Sequence, residues 1–200
     1  MIMFFFIFLI CIFLLHYYHE RMNYYKVVLV KSDISDIDDN KTYLVRDLKD
    51  KQKSANLLAK INRNMNKLNQ YLFENKKKYP KYISYIEQLN EKLKNTKIQE
   101  SADNGIYTSY SVNKGEQIIF CLRSRDKNSD GKLHDLNLLM YVVIHEMGHV
   151  ACPEFGHTDL FKDIFAFLAT EAVKLKIYKK IDFNENNKEY CGLTITDSII

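Results

Sequence analysis

Between Leu136 and Ala151 the chain reads LNLLMYVVIHEMGHVA, a run without lysine, arginine or aspartate that is apolar on nearly every side of a helix. A helix that is hydrophobic all round has to lie inside a domain rather than on it. The fold is therefore expected to form around this one buried helix. Asp135 is placed to cap its start, and Pro153 pushes Cys152 out of helical geometry and ends it. His145, Glu146 and His149 interrupt the apolar surface. Two imidazoles and a carboxylate in such an interior are costly unless something pairs with their polar atoms.

The spacing supplies a candidate for that something. Residues four apart lie about one turn apart on the same helix face, so His145 and His149 can converge on one ion. Glu146 is rotated by about 100° from His145, close enough to reach a water on that ion without binding the ion itself. A catalytic zinc needs a third protein ligand and an open position. Pro153 stops the helix, Gly156 lets the backbone reverse, and His157 arrives on the returning segment. His157 is taken as the third ligand. Cys152 and Glu154 stay open as alternatives, because thiolate and carboxylate also bind zinc. In this reading the ion acidifies a water, Glu146 is the general base that takes its proton, and a carbonyl is attacked. A structural zinc with every position filled by protein is one competitor. The other is a non-enzymatic membrane or virion scaffold, against which the presence of Glu146 argues, since a scaffold needs no base.

The rest of the chain is expected to complete an α+β domain over residues 21–200, with a strand and helical part in 21–100 and the hairpin, HExxH helix and C-terminal helix in 101–200. Tyr24 to Val30 is β-branched enough for a strand, followed by an acidic loop. Leu57, Leu58, Ile61, Met65, Leu68 and Leu72 recur at helical spacing within a stretch from about Val45 to Pro80. A second helix runs from Lys81 to about Leu93, and a third from Thr158 to Tyr178. Two strands flank Asn113-Lys114-Gly115, a turn in which Gly tolerates positive φ. The C-terminal residues read as a polar turn and an apolar tail. Asp126 to Asn137 matches the first half of a calcium loop, but its twelfth position is Asn137 rather than a bidentate glutamate, so a polar loop is expected. His16, His19 and His134 have no companion ligands at useful spacing and read as surface or interface residues.

At the N-terminus an apolar run precedes His16, with Arg21, Lys26 and Lys31 after it and no small-residue cleavage site. The expectation is an uncleaved transmembrane anchor over residues 1–20, with the following domain on the cytosolic side by the positive-inside rule. Cys11, Cys121, Cys152 and Cys191 are scattered without a CxxC pair and are expected as free thiols. A formal charge of +4 is too small to argue for nucleic acid. The expected partners are a protein or peptide substrate and, through the N-terminal helix, a membrane.

VVIHEMGHV followed by GHTDLF resembles the minimal zincin metallopeptidases of the WLM, SprT and YgjP-like group. In these, HExxH is followed by a further histidine and then an aromatic residue four positions on, here His157 and Phe161. The resemblance spans about Glu116 to Ala169, and NKGEQIIFCLR looks like the strand that precedes the catalytic helix there. It extends to membrane-anchored proteins of this sort encoded by large DNA viruses. The third histidine lies two residues further from HExxH than is usual in WLM-type sequences. The resemblance implies a zinc endopeptidase of small zincin fold. Some members digest proteins crosslinked to DNA, a substrate the expected anchor argues against.

Overall fold

The structure is a computed structural model that describes all residues except 1, 23–25, 35–40, 103–106, 127–128 and 130; the side chains of 2–5 and 18–22 also lie outside the description. In chain order the elements are α1 (Ile2–Met22), β1 (Val27–Lys31), β2 (Thr42–Arg46), α2 (Lys51–Glu74), α3 (Ile83–Leu93), β3 (Lys97–Glu100), β4 (Tyr110–Val112), β5 (Gln117–Phe120), α4 (Leu136–Ala151), α5 (Asp159–Lys174), β6 (Lys188–Tyr190) and β7 (Leu193–Ile195). Two short 3₁₀ turns link α2 to α3.

The apolar helix α4 is central, packed on α2, α3 and α5. All its residues are buried except Leu136, Asn137, His145 and His149. The Asp135 side chain accepts the Leu138 N–H at 3.0 Å, and Cys152 turns extended ahead of Pro153, so both ends fall where cap and proline put them. The α2 stripe presents Leu58, Ile61, Met65, Leu68 and Leu72 to the core, and α3 adds Ile86, Leu89 and Leu93. Each such side chain contributes about 1.5–3 kcal/mol on burial.

The sheets are small. β1 and β2 form an antiparallel pair, β5 lies between parallel β3 and antiparallel β4, and β6 pairs with β7. β4 is thus an edge strand. Its turn into β5 has Asn113 at φ 47° and Lys114 at φ 55°, with the Gly115 N–H bonded to the Val112 carbonyl at 3.0 Å. Left-handed residues at both central positions give the type I′ pattern, whose twist suits a hairpin.

A buried ionic cluster ties these pieces together. Glu100, at the end of β3, accepts the Arg46 backbone N–H at 2.9 Å and Arg123 Nε at 2.8 Å. Arg123 also donates to Asp50 and the Gly131 carbonyl, each at 2.9 Å, and to the Ser54 hydroxyl at 2.7 Å. Arg46 Nε reaches the Ser101 carbonyl at 2.7 Å. The α2 N-terminus, β3 and the segment after β5 thereby meet on the Arg123 guanidinium, and β2 joins them through the Glu100 carboxylate.

Three expectations are corrected. No helix among the described residues is long and apolar enough to cross a membrane, so the transmembrane anchor over 1–20 and the single-pass, cytosolic-side localisation built on it are not supported. The reason is length: the apolar part of α1, Ile2 to Leu15, spans about 21 Å at 1.5 Å per residue against a hydrocarbon core of about 30 Å, and His16 to Arg21 is polar apart from its tyrosines. Secondly, Cys121 and Cys191 are not free thiols but a disulfide, with Cα atoms 6.3 Å apart across 70 positions. Cys11 and Cys152 remain free. The pairing brings the end of β5 to the β6–β7 turn, a juxtaposition made by the fold and invisible in local spacing. Thirdly, Val45 belongs to strand β2 rather than to the beginning of a helix. Tyr24, Tyr25, most of the acidic loop, His19, and Lys127, Asn128 and Asp130 of the calcium-like segment lie outside the described residues or side chains.

Candidate metal centre

α4 supplies His145 and His149 from one face, and the loop before α5 brings His157 back to meet them. The three Nε2 atoms form a triangle with sides of 3.0, 3.1 and 3.2 Å. Cys152 is buried at the helix end and Glu154 is exposed, and neither belongs to the cluster. Three neutral imidazoles with these nitrogens face to face cannot all place their lone pairs on each other's protons, whereas a single cation takes all three. Nitrogens bound tetrahedrally at about 2.0–2.1 Å sit about 3.3 Å apart, so the triangle fits zinc after opening by a few tenths of an ångström.

Phe161 supports all three rings. Its centroid lies 4.1 Å from that of His149, nearly parallel, and 5.0 Å from those of both His145 and His157. The glycine of HEMGH makes this possible: a Cβ on Gly148 would come within 3.1 Å of Phe161 Cε2. Thr158 caps α5 by accepting the Phe161 N–H at 3.3 Å, fixing the turn of helix from which that ring projects.

The triangle borders a cleft of about 670 Å³. Ser109 to Ser111 of the β4 edge form one wall, and Tyr141, Val142, His145, Glu146 and His149 of α4 the other. Phe155 to His157, Tyr190, Leu193 and Ile195 also line the cleft, as does Lys114. Glu146 is 3% exposed. The Ser111 backbone N–H binds its carboxylate, while Oε2 is buried without a hydrogen-bond partner. An orphaned carboxylate oxygen in a cleft beside three converging imidazoles suits a group that handles a proton.

Among the described tyrosines, Tyr110, Tyr141 and Tyr190 reach the cleft. The Tyr190 hydroxyl donates to the Cys121 carbonyl at 3.0 Å and pairs with Ser109; that of Tyr141 donates to the Asp197 carbonyl at 3.3 Å. His134 is half-buried rather than a surface residue: it accepts the Cys191 N–H at 3.3 Å and packs on Tyr190. The polar turn and apolar tail expected at the C-terminus instead form the β6–β7 hairpin that lines the cleft. Its signal was Cys191-Gly192, both at positive φ, between two short β-prone runs.

Burial and the neighbouring imidazoles hold His145 down to about 3, and burial, His157 and Lys114 hold His149 down to about 4, so both are neutral near pH 7. Burial raises Glu146 to about 8 against the pull of the Ser111 amide. These shifts predict the pH dependence of the metal-free protein. Below the ordinary imidazole value of 6.5 the unfolded chain takes up two protons that the folded one refuses, so stability falls with falling pH. Glu146 acts oppositely: its contribution is complete below 4.5 and is lost as pH rises toward about 8. Where the windows overlap, two imidazole protons outweigh one carboxyl proton. These groups place maximum stability near pH 6.5. Thermal unfolding with chelator from about pH 4 to about pH 9 checks it, and Glu146→Gln should flatten the alkaline limb.

An α+β domain whose central helix and following loop converge three histidines on a cleft is the class that fold and site define. The chain belongs to the family of uncharacterized protein R325 of Acanthamoeba polyphaga mimivirus, with 47% identity over 171 residues that cover 86% of this chain and 83% of that protein. Uncharacterized protein 136R of Invertebrate iridescent virus 6 is 34% identical over 100 residues, 49% of this chain and 52% of that one. Uncharacterized protein 042R of Invertebrate iridescent virus 3 is 36% identical over 114 residues, 56% and 64% of the two chains. No family profile and no solved structure matches the chain.

Proposed function

We propose that the protein is a zinc-dependent metallopeptidase in which His145, His149 and His157 hold the ion and Glu146 is the general base. The observation that carries this is the Nε2 triangle of 3.0–3.2 Å, built from neutral imidazoles beside a buried carboxylate. A bound zinc ion supplies Lewis acidity, acidifying a water and polarising a carbonyl oxygen. The chain's own residues do the rest. The Ser111 amide holds the Glu146 carboxylate, leaving Oε2 to accept a proton from water and pass it to the departing amine. The cleft, at about 670 Å³, is of a size for side chains of a protein or peptide substrate.

Metal analysis of the purified protein, paired with cleavage of an unfolded protein substrate, tests this. The expected result is about one zinc per chain, with cleavage abolished by chelator and restored by zinc. X-ray absorption should show nitrogen and oxygen neighbours; sulfur in the shell would make Cys152 a ligand and turn the site structural. A protein that binds no zinc ends the proposal.

A further inference from the structure

Lys114 occupies the second central position of the β4–β5 turn at φ 55°, a left-handed conformation ordinarily taken there by glycine. A lysine in that position costs backbone energy, and strain of this kind persists where the side chain serves something else. Its side chain crosses from the hairpin to the loop between α4 and α5. Nζ donates to the Cys152 carbonyl at 3.0 Å and to the Glu154 carbonyl, and it stands 4.2 Å from the centre of the Phe155 ring. An ammonium has three donors and no lone pair, so it can tie carbonyls and sit over a ring without competing for a cation.

The loop needs such a tie. Residues 153–157 are all exposed, and among the described residues no backbone–backbone hydrogen bond reaches them. Yet His157, at the end of this stretch, brings its Nε2 to 3.0 Å and 3.2 Å from its two neighbours. We propose that Lys114 is a positioning residue: it clamps the backbone of Cys152 and Glu154 so that His157 meets His145 and His149 in a ready-made site. The part of this that concerns metal rests on the zinc reading. A pre-formed loop spares the ion the entropy of ordering it, and affinity rises accordingly.

The test compares Lys114→Gly and Lys114→Arg with the wild type. It measures zinc affinity by chelator competition, backbone NMR order parameters at residues 154–157, and thermal unfolding of the metal-free protein. Glycine suits the left-handed turn, so Lys114→Gly should unfold at the same temperature as wild type or higher, while the order parameters of the loop fall. Zinc affinity should fall by about 10–100-fold, with Lys114→Arg recovering most of it. Lys114 also sets a positive charge near His149, so charge alone would make its removal tighten cation binding. A fall therefore reports position. Unchanged affinity and order parameters in Lys114→Gly overturn the proposal and leave the zinc reading intact. A wild type that takes up no zinc, with loop order parameters still lower in Lys114→Gly, removes the zinc reading and leaves the tether standing.

Discussion

Glu146→Gln is expected to keep its fold and its zinc while losing about 10²–10⁴-fold in peptide hydrolysis, the usual contribution of a positioned general base. In the metal-free protein burial raises the carboxyl to about 8, so it is protonated there near neutral pH. The positive charge of a bound zinc ion would favour the ionised form that the base role requires. Glutamine matches the protonated form in size and charge. Its carbonyl oxygen can still accept the Ser111 N–H, so stability at pH 7 should move by less than about 1 kcal/mol. What glutamine cannot do is take a proton from water. Zinc content, thermal unfolding and cleavage rate are measured on the same preparation. A variant that cleaves within tenfold of the wild type removes Glu146 from the mechanism. If the wild type shows no zinc-dependent cleavage and the variant replaces it in the protein's biological role, a scaffold that keeps the fold is the remaining description.

Arg123→Met is expected to destabilise the protein by about 3–5 kcal/mol, because it takes the closer guanidinium away from the buried Glu100 carboxylate and leaves it the Arg46 backbone N–H and the more distant Arg46 side chain. Glu100 and Arg123 are 1% and 2% exposed. Arg46 Nε lies 4.0 Å from the same carboxylate, too far to replace the 2.8 Å bond from Arg123 Nε. The Asp50 and Ser54 contacts to the α2 N-terminus are lost as well. Denaturant unfolding with an unchanged slope measures the effect. Exchanging Glu100 for leucine in the same chain should return part of the loss, since a buried pair removed together costs less than one removed alone. A loss below about 1 kcal/mol would show that water or relaxation reaches the carboxylate.

What the sequence made legible was local. The α4 run, the Asp135 cap, the Pro153 stop and the Asn113-Lys114-Gly115 turn each depend on residues a few positions apart, and each lies where periodicity and backbone preference put it. The convergence of His157 with His145 and His149 was also readable, since Pro153 and Gly156 govern a short return. The missed features are contacts between distant segments. β2 and β3 are short, and their neighbours rather than their own patterns define them. The Glu100–Arg123 bond joins residues 23 apart, and the Cys121–Cys191 pair 70 apart. Lys114 was visible only as a turn residue, because nothing local says where a long side chain at a hairpin tip will land. The anchor fails on a local quantity: the apolar run before His16 is shorter than a hydrocarbon core is thick.

The Cys121–Cys191 bond closes a covalent ring through the chain, and His145, Glu146, His149 and His157 all lie on it, whereas Ser111 and Lys114, which seat and tether them, lie outside. A single backbone cut anywhere between these cysteines, including in the exposed stretch 153–157, would open the ring without releasing a fragment. A cut within that exposed stretch would leave the two HExxH histidines and the third on separate peptide segments still joined through sulfur. Under oxidising conditions such a nicked molecule would run as one species of unchanged mass apart from the added water, and only a reductant would separate its halves.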